Sequence, residues 1–160
     1  MHTSDSLLDL HTRTHRSLQK LLRHCRRLSA EELHRELPGF GFATVQRQLF
    51  HIFDCEDWWM GGVTGLSRAD SRPADFPEVK ALDAFRRRVA AMTADYLRTA
   101  TVDDLNTART LRLGGKRGPA LRPAQVFLHA MTHAFHHKGQ AVAMCRLLGY
   151  PPPDTDLPVR

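Results

Sequence analysis

Apolar residues recur at intervals of three and four through most of the chain, the period of one buried helical face. From about Ser4 to Leu28 the stripe is Leu7, Leu10, Thr14, Leu18, Leu21, Leu22 and Cys25, and Ser4 or Ser6 can cap its start. Ser29 followed by Glu31 and Glu32 predicts a short helical turn, and Pro38-Gly39-Phe40-Gly41 then breaks the chain. A second helix is predicted from about Thr44 to Met60 on Val45, Leu49, Ile52, Phe53 and Trp59, with Gly61 and Gly62 as its stop. Residues 63–76, rich in Gly, Ser, Asp and Pro, read as a loop. Pro77 suits the first position of a third helix, carried to about Arg98 by Val79, Leu82, Phe85, Val89, Met92 and Tyr96. The period then changes. Residues 107–122 alternate around Gly114-Gly115, the pattern of a short hairpin or extended crossover, so residues 100–121 are expected to cross between the third and fourth helices. Pro123 opens the fourth helix, which runs to about Leu148 and stops at Gly149 before Pro151-Pro152-Pro153.

Four amphipathic stripes each need a partner, and an all-α four-helix bundle satisfies them together. The expected organisation is one domain over residues 1–150 and an exposed proline-rich arm over 151–160. A chain of 160 residues is long enough to bury roughly 70% of its unfolded surface without disulfides or metal staples. No apolar run approaches the ~20 residues that span a bilayer. Met1-His2-Thr3-Ser4-Asp5-Ser6 lacks the features of a secretory signal, and Cys25, Cys55 and Cys145 include no Cys-x-x-Cys pair. A reduced, cytoplasmic protein is therefore expected, and two-fold pairing makes a homodimer the expected assembly. The net charge of +6 comes mostly from arginine, and clustered arginine can bind nucleic acid. Here Arg23, Arg26 and Arg27 fall in one segment and Arg86, Arg87 and Arg88 in another, with no aromatic platform between them. Both groups read as solvated helix faces, and nucleic acid is not the expected partner.

The candidate chemistry lies in His129-Ala-Met-Thr-His133-Ala-Phe-His136-His137-Lys138-Gly139-Gln140 on the fourth helix. His133 and His137 are one turn apart and can aim two imidazoles at one point. They share a stripe with Val126, Ala130, Gln140 and Met144 that must face the core. His51 sits upstream on a second stripe with Thr44, Gln48, Cys55 and Trp58. Polar groups on inward faces are costly unless something engages them. Three imidazoles would hold zinc or nickel, with iron or copper also accepted, and leave positions open for water or substrate. Spacing alone leaves the pairing open, since His129 with His133 and His133 with His136 also fit one face. The stretch lacks the glutamate of His-Glu-x-x-His. Cys55 is a candidate fourth ligand, and Asp54, Glu56 and Asp57 are candidate acceptors for an imidazole N–H, with at least two of these three expected in solvent. Gly139 suggests close helix packing, Gln140 could orient a ligand, and Trp58 and Trp59 are expected at a helix end or dimer face.

His133-Ala-Phe-His136-His137-Lys138-Gly139-Gln140, ending in Leu147-Leu148-Gly149, resembles the last-helix signature of the DinB/YfiT-like family of metalloproteins. His51-Ile-Phe-Asp54-Cys-Glu56-Asp57-Trp58-Trp59 is similar to that family's second-helix histidine followed by acidic and aromatic residues. The resemblance implies an up-down-down-up bundle that binds a divalent metal through His51, His133 and His137. It also implies a small-molecule substrate: relatives include transferases and isomerases that use low-molecular-weight thiols such as bacillithiol or mycothiol. Metal-dependent hydrolysis is the neighbouring reaction. Non-catalytic metal binding in a damage response is the alternative, and a site closed by a fourth protein ligand would mark it.

Overall fold

The computed structural model describes residues 1–66 and 70–158. Its elements in chain order are helices α1 (Ser4–Cys25), α2 (Ala30–His34), α3 (Val45–Thr64), α4 (Val79–Thr99) and α5 (Val102–Asn106), strands β1 (Arg109–Leu113) and β2 (Lys116–Leu121), and helix α6 (Pro123–Leu147). The four long helices are those the apolar period predicts, and their ends follow local chemistry. Thr3, not Ser4 or Ser6, caps α1, and the helix ends at Cys25, three residues short of Leu28. Ser29 and Glu32 form a reciprocal capping box that starts α2. Thr44 caps α3 by accepting from the Arg47 amide. Pro77 stands outside α4, whose N-cap is Glu78.

The stop placed at Gly61-Gly62 is wrong. Helix α3 runs through both glycines to Thr64 and is capped by Gly65, whose φ of 72° is the left-handed conformation that favours glycine there. Gly62 serves packing: a Cβ there would lie 2.5 Å from Leu113 Cδ2 and 3.3 Å from the Arg112 carbonyl oxygen. The hairpin can lie on α3 only because that side chain is missing. Gly114 and Gly115, at φ 57° and 76°, make the two-residue turn between the antiparallel strands β1 and β2. Trp58 lies against Gly114, so this tryptophan packs the hairpin onto the end of α3.

The connections differ from expectation in one respect. The chain leaves α3 at Gly65 and by Pro73 is back beside Gln46, whose amide donates to the carbonyls of Pro73 and Phe76. The return along a helix therefore falls between α3 and α4. Residues 67–69 of the predicted loop lie outside the described residues. Residues 100–121 join α4 to α6 as expected and hold α5 and the predicted hairpin.

The core comes in two apolar clusters. One gathers Leu18, Leu22, Leu49, Phe53, Phe85, Val89 and Met144. The other gathers Leu7, Met60, Leu97, Leu111, Phe127 and Met131. Between them a buried polar layer crosses three helices: His11, Thr14 and His15 of α1, Glu56 of α3 and Thr93 of α4. Arg86 is also buried, paired with Asp83, so that arginine is not on a solvated face. Over the described residues 151–158 the tail is anchored at two points, although half of its residues are exposed. The Thr155 carbonyl, on a buried residue, accepts from the Ser17 hydroxyl and the Lys138 ammonium, and Arg13 donates to the Pro158 carbonyl at 3.0 Å. Among the described residues no helix is long and apolar enough to cross a membrane.

Candidate metal centre

Helices α3 and α6 pack along their length, and their polar stripes meet. His51 Nε2 lies 3.2 Å from His133 Nε2. The ring centroids of His51, His133 and His137 are 4.4–4.8 Å apart, and one nitrogen from each lies within 4.8 Å of the others. Of the pairings open in the sequence, the structure brings together His133 and His137 with His51. His129 turns toward Trp59 and His136 toward Gln140.

A chain of hydrogen bonds fixes one of these rings. The Gln48 amide nitrogen donates to the Phe42 carbonyl at 3.1 Å and to Gln140 Oε1 at 2.6 Å. Its Oε1 therefore faces His137 Nδ1 at 2.8 Å and accepts the proton there. With Nδ1 protonated, His137 Nε2 carries the lone pair a metal needs. Gln140 thus acts on the site through Gln48. Phe42, to which the sequence assigns nothing, stacks on His51 at 4.0 Å between centroids. Its position in the Gly-flanked break before α3 carries no periodic signal.

The electrostatics suit a cation. Burial lowers the pKa of His51. Burial first, and then neighbouring histidine charge, lowers His133 and His137 to about 4. All three are neutral imidazoles at neutral pH, the form that ligates metal. His137 is buried, whereas His51 and His133 are half-buried, so one side of the group faces outward.

Other site residues fall elsewhere. Cys55 is outside the three-histidine group, and burial, with the Glu56 charge, pushes its thiol up to about 12. Glu56 and Asp57, of which at least one was expected in solvent, are both buried at 1% exposure. Asp57 accepts from Arg88 at 3.0 Å, while Glu56 turns to His11 and His15 on α1. Gly139 is not a packing glycine, because a Cβ there would meet nothing within 4 Å. Lys138, beside it in the motif, reaches back to the tail.

The chain matches the family model for the DinB family over residues 1–160 and belongs to that family. It is similar to the crystal structure of a DinB-like protein from Bacillus cereus ATCC 10987, with a TM-score of 0.75 and 22% identity over 94% of this chain and 95% of that one. It is also similar to a conserved protein from Enterococcus faecalis, with a TM-score of 0.66 and 16% identity over 93% and 99% of the two chains. No functionally curated protein matches it. At these identities the structural likeness speaks for the fold.

Proposed function

We propose that the protein binds a divalent metal, zinc or nickel or alternatively iron, through His51, His133 and His137, and uses it as an enzyme on small molecules. The observation that carries this is the convergence of three neutral imidazoles, one locked by Gln48 with its lone pair inward. The donor set fits such an ion: three imidazole nitrogens, the Gln48 oxygen that takes the His137 Nδ1 proton, and Cys55 kept as a thiol rather than a competing thiolate. A bound divalent ion there would act as a Lewis acid, lowering the pKa of a water or a thiol. The chain's own residues do the rest. Gln48, held by Phe42 and Gln140, orients His137; Phe42 covers His51; and His51 and His133 are half-buried, so solvent reaches the group.

The reaction class this favours is thiol S-transfer, with metal-dependent hydrolysis beside it. That no fourth protein ligand joins the group among the described residues supports catalysis over purely structural metal binding. Elemental analysis of freshly purified protein, followed by transfer assays with low-molecular-weight thiols in metal-loaded protein, tests both parts. Metal without any turnover would leave the non-catalytic reading.

The finer architecture belongs to the same proposal. We read the long helices as one domain over residues 1–150 running up-down-down-up. Ser4 with Ala100 and Arg26 with Asp83 support α1 against α4 head to tail. Gln46 with Phe76 and Asp57 with Arg88 support α3 beside α4 in the same direction. A homodimer remains the assembly we propose, and light scattering at micromolar concentration tests it.

A further inference from the structure

The buried layer across α1, α3 and α4 repeats the pattern of the metal centre. His11 and His15 are four apart on α1, as His133 and His137 are on α6. Both aim Nε2 at one carboxylate: His11 Nε2 is 3.1 Å from Glu56 Oε1, and His15 Nε2 is 3.1 Å from Oε2. The ligand atoms lie within 4.8 Å of one another, and the three residues are 3%, 6% and 1% exposed. For tetrahedral bonds of about 2.0–2.1 Å, neighbouring ligand atoms stand about 3.3 Å apart. The histidine-to-carboxylate distances, 3.1 Å from each ring, are within a few tenths of an ångström of that spacing.

Two observations say that hydrogen bonding alone does not complete this cluster. Among the described residues the ion-pair partners of Glu56 are His11 and His15, so no permanently charged side chain balances this enclosed carboxylate. In addition, His15 Nδ1 is buried without a hydrogen-bond partner. A buried carboxylate with no fixed counter-charge and an orphaned ring nitrogen beside it are costly. A divalent cation removes the first of these costs.

We propose that His11, His15 and Glu56 form a second metal site, a two-histidine, one-carboxylate centre for a zinc-like divalent ion that ties α1 to α3. Each imidazole gives the ion its Nε2 lone pair and keeps its proton on Nδ1. The Thr93 hydroxyl, 2.8 Å from Glu56 Oε1, holds the carboxylate in place from α4. A cleft of about 300 Å³ between α1 and α4, lined by His11, His15, Arg16, Ala90 and Ala94, is the access route. The site is independent of the centre on α6, with which it shares no ligand.

The test uses the full chain with His51, His133 and His137 all changed to alanine, refolded with Zn(II), passed over chelating resin and checked by circular dichroism. About one equivalent of zinc should remain, and Co(II) should give the visible absorption of a tetrahedral centre. Adding Glu56→Gln, or His11→Gln as the milder change, should remove both signals. A folded triple variant that holds no zinc and gives no cobalt band overturns the proposal. So does metal that survives both added substitutions. Should the triple variant fail to fold, the unaltered protein decides: about two equivalents support the site, and about one, lost on His133→Ala, overturns it.

Discussion

Helix α3 carries two histidine-facing polar groups on opposite sides, and they are built differently. Toward α6, His51 meets His133 and His137 with no carboxylate among them, two of the three rings half-buried. Toward α1, Glu56 meets His11 and His15 with every member buried and the cleft between α1 and α4 leading to them. The first group gains neutrality from burial and keeps an outward side. The second holds an ionised carboxylate: burial pushes its pKa up, but the His15 charge and the hydrogen bonds from both histidines outweigh that and hold it well below the usual range. One side of the helix is arranged for exchange with solvent and the other for permanence.

The contrast breaks first at Glu56. Changing Glu56 to alanine leaves His11, His15 and Thr93 buried around a void, and loss of one partner of such a buried group costs about 3–5 kcal/mol. Urea unfolding should show that loss, and a change below about 1 kcal/mol would mean the layer is not a structural support. On the other side the expected loss is in binding rather than stability. Alanine at His51, His133 or His137 should weaken metal binding by more than the ~10–100-fold typical of an outer-shell change, while His129→Ala and His136→Ala should leave it within a few-fold. Equal loss from His129→Ala, by calorimetric titration, would show the ligand set to be misassigned.

Gln48→Ala sharpens the comparison. It removes the acceptor that fixes the His137 tautomer and should cost about 10-fold in metal affinity, with Gln140→Ala costing less because it acts one bond further out. Acid reads the same rings through stability rather than through binding. His133 and His137 sit at about 4 in the fold against an ordinary 6.5. Between those values the unfolded chain binds more protons, so the metal-free protein loses stability as pH falls from about 6.5 to about 4. Glu56, lowered in the fold, adds its own loss below about 4.5, since its contribution exists only while it is ionised. Thermal midpoints across pH 4–7 should therefore fall toward acid, and the His133→Ala, His137→Ala double variant should fall less over the upper part of that range.

Periodicity made the four long helices legible, and the motif on α6 with His51 on the second stripe named the three histidines that the fold brings together. The second cluster was missed although His11 and His15 carry the same four-residue spacing as His133 and His137. Ten histidines in the chain make that spacing common, and nothing local to α1 points to a carboxylate on α3, which lies 41 residues from His15. Glycine misled twice for one reason. Gly62 was read as a stop when it clears space for Leu113, and Gly139 was read as close packing when it faces open space. A glycine reports that a side chain is missing, and only the tertiary neighbours say why. The tail was missed because its anchors are the carbonyls of Thr155 and Pro158, met by Ser17, Lys138 and Arg13, and a backbone carbonyl has no sequence signature.

The pairing of His51 with His133 joins positions 82 residues apart, and its consequence is kinetic. Closing so long a loop comes late on a folding route that begins with local helix contacts. A ligand held by these side chains finds no site in the early, partly ordered chain. A metal bound there, as proposed, would therefore act after the rate-limiting barrier, lengthening the lifetime of the folded molecule while leaving the speed of its formation almost unchanged.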